Sequence, residues 1–354
     1  MLLSLILILL ITVGGLSLTY LFADDESLLW RVCAGNIVGS ALFGLVCFLL
    51  AYFFGFNQAT VSLSFLTSLS PLILFNKKAN RLKFLANWRK AKGKLEGANS
   101  KKIFRFVYYV FFFGLFWLFF ERAMFETPNG IFTGGSQNLG DLPFHLGAIF
   151  SFTDGQNFPP ENPSYAFAKF SYPFMADLVT ASFVRLGAKV REAMLVQNVF
   201  LAFSLLVILE RFTFKLTGSR LAGKIAPALL FFSGGLGFLW FFKDFWQQAQ
   251  GFFDFIRNLP HDYTTGDKFR WGNSLITLFV TQRSLLLGMP LTIIVLQKLW
   301  EIFNRDELNY KTNTRPSSLV PRHCFFVGLM AGTLPLIHVH SLVVLFVVNA
   351  FLFF

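Results

Sequence analysis

The chain has 354 residues, of which 55% are hydrophobic and only 14% charged, and its formal net charge is +12. Soluble domains carry about 25% charged residues, so the composition excludes an ordinary soluble protein and points to an all-α polytopic membrane protein. The positive balance does not indicate nucleic acid as a partner, because it is concentrated between apolar runs, where membrane topology accounts for it.

A helix needs about 20 apolar residues to cross the hydrocarbon core of a bilayer. By that measure about eight transmembrane helices are expected, at 2–22, 31–54, 58–75, 104–122, 194–213, 224–242, 275–303 and 324–350. The first of them lacks a basic leader and a small-residue cleavage site, so it reads as a span and not as a cleaved signal peptide. Residues 1–75 then form an N-terminal segment of three spans. A basic linker follows at 76–105, with Lys77, Lys78, Arg81, Lys83, Arg89, Lys90, Lys92, Lys94, Lys101, Lys102 and Arg105. Excess Lys and Arg between spans marks the cytoplasmic side. That rule puts the N-terminus outside a plasma (inner) membrane and brings the linker close to anionic lipid headgroups.

Residues 106–354 form the rest of the membrane core, with outer loops expected at 123–193 and 243–274. Within the first loop, Tyr172–Leu186 is apolar enough to be inserted. As a full span it would carry Arg211, Lys215, Arg220 and Lys224 to the outside, so it is expected to be an interfacial or half-inserted helix, with Asp177 at the interface. The small residues of Ser233-Gly-Gly-Leu-Gly237 lie among Phe, Leu and Trp and read as close helix packing, not as a phosphate loop. Cys33, Cys47 and Cys324 have neither metal-binding nor disulfide spacing.

The candidate chemistry gathers in the first loop, between about Thr127 and Pro173. Asp141 and His145 are four residues apart, so a short helix over Asp141–Phe150 would put both on one face, where they can share a metal or a proton. An N-cap role for Asp141 at the start of that helix is the plainer alternative and is compatible with the functional one. Asp154 and Glu161 stand in turn-rich sequence, Glu161 just after Pro159-Pro160. In the second loop, Asp254, His261, Asp262 and Asp267 accompany Trp246, Arg270 and Trp271, a mixture suited to an interfacial cover or to stacking on sugar rings. Inside the expected spans lie Gln282-Arg283 and His338-Val-His340-Ser341, and intramembrane polar groups of this kind face cavities or partners. The two histidines would point about 200° apart on an unbroken helix, so they do not form a metal site by themselves. Arg283 has the planar fork that suits a phosphate.

These features resemble the GT-C superfamily of membrane glycosyltransferases, which use polyprenyl-phosphate-linked sugars at the outer face. The likeness covers roughly residues 103–354 and is carried by several features. They are the span ending near Arg122, the long loop with Asp141, the segment around Tyr172-Pro-Phe-Met-Ala-Asp177, the Pro-rich Asn157–Pro163, and the Gln282-Arg283 and Leu336–His340 spans. The resemblance implies transfer of a sugar from a lipid-linked donor to a glycan, lipid or protein acceptor. Asp141 would be the catalytic base, with His145 and Glu161 as helpers. It further implies that Gln282, Arg283, His338 and His340 bind the donor phosphate, and that Asp141, joined by Asp154, could hold a divalent cation (Mg or Mn). The sequence departs from the family in offering one loop carboxylate, at Gly140-Asp141-Leu142, where many members have a pair. It also has three extra spans before residue 76 and stops within the apolar run Phe351–Phe354, as a fragment or split product would. A transporter or flippase would instead show paired broken helices in two related halves, and a non-catalytic scaffold would leave the loop acids solvated.

Overall fold

A computed structural model describes residues 1–95, 100–135, 138–249, 251–261, 263, 272–312 and 319–353. The described chain is mostly helical, with a single two-stranded hairpin among the described residues. Six helical segments are long and apolar enough to cross a membrane, as a multi-pass membrane protein requires. They are α1 (Leu2–Phe22), α2 (Leu28–Phe54), Gln58–Asn76, Lys102–Ala123, α8 (Val190–Thr217) and Arg283–Asn304. The third consists of α3 (Gln58–Ser68) and a 3-10 turn, Ser70–Asn76, begun by Pro71, which cannot donate to a preceding carbonyl. The basic linker folds as α4 (Lys78–Leu95) and runs on to α5 (Ser100–Ala123).

Two of the eight expected spans are each divided between two α-helices. The stretch 224–242 is divided between α9 (Arg220–Phe232) and α10 (Phe238–Gln247), and Ser233–Gly237 between them is non-helical. Glycine weakens a helix interior by about 1 kcal/mol relative to alanine, and three glycines fall within these five residues. The last stretch is divided at His338 into α13 (Leu319–Ile337) and α14 (Val339–Phe353). Pro335 lies one turn before that break, within α13. The span expected at 275–303 begins with a π-turn, Leu275–Phe279, and becomes regular only in α12 (Arg283–Thr312).

The first loop has more structure than its composition suggests. Met124–Thr127 (β1) and Gly130–Thr133 (β2) pair as an antiparallel hairpin around Pro128-Asn129, with Thr127 opposite Gly130. The rings of Phe125 and Phe132 stack across it, their centroids 5.7 Å apart. Two short helices follow, α6 (Asp141–Thr153) and α7 (Met175–Arg185). The 11 residues of α7 extend about 16 Å, half of a hydrocarbon core. The helix is too short to cross a hydrocarbon core by itself, and it does not lie on the surface of the fold. Met175 to Phe183 are buried throughout, between α2, α8 and α12. A small α11 (Phe252–Arg257) completes the described second loop.

Packing is tightest between α1 and α2. A Cβ at Gly15 would run into the Gly35 carbonyl and the Gly39 backbone, and one at Gly39 into the Ile11 carbonyl. Small residues of this kind let two helix backbones touch, which is the main source of helix association where lipid removes the hydrophobic drive. Buried Arg31 closes the turn between the two helices, donating to the carbonyls of Thr19, Ala23, Asp24 and Glu26 at 2.6–3.3 Å. It thereby gives partners to carbonyls at the end of α1 and in the turn that follows it.

Charges collect at the two ends of the bundle. At one end Asp24 meets Lys83 (3.2 Å), and buried Glu26 meets Arg211 (2.8 Å) and Lys215 (2.5 Å). Glu301 meets Lys215 and Lys298 there. At the other end the Met1 amine meets Glu192, and Arg191 meets Glu121. The segments expected from charge parity to share one membrane face are therefore gathered at one end of the fold, and the first loop caps the opposite end.

Candidate functional site

The polar centre of the fold lies where α6, α7, α8 and the start of α12 meet. Arg283, 1% exposed, is the first residue of α12. It donates through Nη1 to Asp177 Oδ1 (2.5 Å), through Nη2 to Thr180 Oγ1 (2.6 Å) and Gln197 Oε1 (3.1 Å), and through Nε to Asn198 Oδ1 (3.2 Å). Asp177, also 1% exposed, offers its second oxygen to His145 Nδ1 at 2.8 Å. The other imidazole nitrogen, Nε2, lies 3.0 Å from the Thr281 carbonyl. Both ring nitrogens thus face acceptors, and full satisfaction needs a proton on each or one held on Asp177.

Local sequence explains each position. Asp177 and Thr180 are three apart on α7, so both project toward Arg283. Gln197 and Asn198 lie on α8 across the cavity, and Gln197 Nε2 also donates to the Ala176 carbonyl at 3.0 Å. The irregular backbone from the π-turn to Gln282 leaves the Thr281 carbonyl available to His145. A small pocket with room for roughly one water lies against this cluster, lined by Asn138, Leu142, His145, Asn198, Val280 and Arg283 among others. The Oδ1 of Asn138, a buried residue, has no hydrogen-bond partner among the described residues.

Asp141 stands at the edge of this centre. It occupies the first turn of α6, where a carboxylate is favoured by the helix dipole. It is not the N-cap: Gly140 holds that position, and among the described residues no side chain caps the helix. As the spacing implies, Asp141 and His145 share a face of α6, but they differ in role. His145 points into the ion-pair cluster, while Asp141 is half-exposed and makes no hydrogen bond or ion pair among the described residues. Tyr172 packs beside them, its ring centroid 6.1 Å from that of His145. Burial pushes the Tyr172 phenol above its ordinary pKa, and the charges of Asp177 and Asp141 push it the same way.

The other expected site residues do not converge here. Glu161 is exposed in the Pro-rich loop, held through its backbone by Asn157 and bridged to Lys169. Asp154 caps the C-terminus of α6, about 20 Å along the helix from Asp141, so the two do not form one cation site. Among the described residues no group of three His, Cys, Asp or Glu side chains is placed to hold a metal ion. Gln282 is exposed. His338 is buried in the break between α13 and α14, its Nδ1 2.8 Å from Ser341 Oγ and its ring against Gly288 of α12. His340 is exposed, and the break brings its ring centroid within 5.4 Å of that of His338, which an unbroken helix would not allow. In the second loop, Asp254 is exposed on α11 and His261 lies 3.8 Å from Asp244. Asp262, Asp267, Arg270 and Trp271 fall outside the described residues.

Asp177 is fully buried within the protein, where Arg283 and His145 supply the partners that a buried carboxylate needs. One expectation is corrected by this geometry. Arg283 is not an open phosphate clamp, since four of its five N–H groups already donate within the protein. Asp177, Thr180, Gln197 and Asn198 were missed by sequence reasoning. The available signal was a lone carboxylate in an apolar helix, which demands a buried cation. Set against protein-family models, curated proteins and solved structures, the chain matches none.

Proposed function

We propose that this protein is a membrane glycosyltransferase that moves a sugar from a polyprenyl-phosphate donor to a hydroxyl acceptor at the bundle end formed by α6, α7 and the start of α12. The observation that carries the reading is Asp141, an uncompensated carboxylate at the edge of a rigid buried cluster, four residues from His145. In this scheme the Asp141 carboxylate takes the proton of the acceptor hydroxyl. The acceptor oxygen bonds to the anomeric carbon, the bond from that carbon to the phosphate oxygen breaks, and the lipid phosphate leaves with the electron pair. The cluster of His145, Asp177 and Arg283 positions α6 and does not touch the donor. Apolar surface on α5, with Phe104, Phe106, Val107, Val110, Phe111 and Leu118 exposed, suits a donor that arrives through lipid. Purified protein in lipid discs, given polyprenyl-phosphate sugars and candidate acceptors, should release lipid phosphate. Asp141→Asn should remove that release while leaving thermal stability unchanged, and transfer that survives the substitution would refute the assignment.

One observation favours a second reading, a lipid or solute transporter. Helices broken at Ser233–Gly237 and at His338, beside charges buried in the bundle, are features of substrate paths through membranes. Liposome flux assays separate the two, because flux that persists in Asp141→Asn without any sugar transfer supports the transporter.

A further inference from the structure

We propose that the outward face of α4 is a docking surface for anionic phospholipid headgroups. The segment from Lys77 to Leu95 contains no acidic residue. Arg81, Arg89, Lys90 and Lys92 are exposed on α4 and have no ion-pair partner among the described residues. The inner face is fixed to the bundle through residues at helical spacing. Asn80 donates to the Leu74 carbonyl (2.8 Å), Phe84 packs edge-on to Phe75 (5.6 Å), and Asn87 donates to the Tyr20 hydroxyl (3.4 Å). Lys83 at its border pairs with Asp24.

Anchored in this way, the helix turns three large apolar side chains outward: Leu82, Leu85 and Trp88, which are 55%, 46% and 56% exposed. Leu82, Leu85, Arg89 and Lys92 follow one another at spacings of three and four, so cations and apolar groups share one stripe. Mixed stripes of this kind suit the headgroup boundary, where Trp is enriched and where Lys and Arg keep their charge in water while burying their stems. The position of α4 favours lipid over an acidic protein. Lys78 follows Asn76, the end of an apolar candidate span, by two residues, a reach of at most about 7 Å. That is within the Debye length of about 8 Å at physiological salt.

The test uses the full chain in lipid discs of phosphatidylcholine and phosphatidylglycerol, with bromine carried on the acyl chains of one lipid or the other. The emission owed to Trp88, obtained by difference from Trp88→Phe, should be quenched more by brominated phosphatidylglycerol than by brominated phosphatidylcholine. Raising the salt concentration should shrink the difference. The triple variant Arg81→Gln, Arg89→Gln, Lys92→Gln should bring the two lipids level, each charge contributing up to about fivefold, with an unchanged melting temperature. Where that variant fails to fold, the salt series on the wild-type chain decides. Equal quenching by both lipids in the wild type would overturn the proposal, and so would no quenching by either, which would instead leave the face to water or to an acidic protein.

Discussion

Replacing Arg283 with Met should be the most damaging single change to this fold outside its tightest packing. The substitution preserves much of the stem volume but leaves Asp177 at 1% exposure with only His145 as a partner, and strips donors from Thr180, Gln197 and Asn198. Breaking a buried pair by removing one member costs about 3–5 kcal/mol, because the surviving charge keeps its desolvation penalty. Replacing both members is different. In Asp177→Leu/Arg283→Met no charge is stranded, and His145 can still donate from Nε2 to the Thr281 carbonyl as a neutral ring. The double variant should therefore recover a large part of the loss, a coupling of about 1–3 kcal/mol. Denaturant or thermal unfolding of the wild type, the two single variants and the double variant in one lipid disc composition measures the cycle. Additive losses, or a cost below about 1 kcal/mol for Arg283→Met, would refute the account of a mutually dependent buried pair.

Three further outcomes follow from the structure. Gly15→Ala should separate α1 from α2 and cost about 1–3 kcal/mol in unfolding experiments, since the added methyl meets backbone that cannot move aside. Gly288→Ala should also destabilise, because its methyl meets the Cβ of His338 and not the flexible end of a side chain; a melting temperature equal to the wild type would contradict the observed contact. The Tyr172 phenol, raised by burial in the folded state, contributes stability that is fully present below the unfolded value near pH 10 and is lost as the pH climbs toward the folded value. Tyr172→Phe should flatten the alkaline decline in melting temperature, and an unchanged decline would show that other groups cause it.

The class of the protein was legible in composition and run length, which are local properties. About 20 apolar residues with no charge have few fates besides a membrane-crossing or deeply buried helix, and α1, α2, α5 and α8 form within a few residues of where hydropathy places them. Charge parity likewise grouped the basic linker with Arg211 and Lys215 before any contact was known, and the ion pairs of Asp24 and Glu26 gather them at one end. The spacing of Asp141 and His145 put both on one face of a helix. What that spacing could not reveal is that His145 turns inward to Asp177 while Asp141 stays half-open. That difference depends on α7 arriving from 32 residues away and on the Thr281 carbonyl, just before α12, arriving from 136 residues away. Hydropathy also passed over Ser233–Gly237 and His338, where the average stays apolar and the helix nevertheless breaks. Arg283 is the clearest case. Its sequence shows a costly charge among apolar residues that must find a partner, but only the tertiary structure decides whether that partner is a ligand or, as here, a carboxylate of the protein itself.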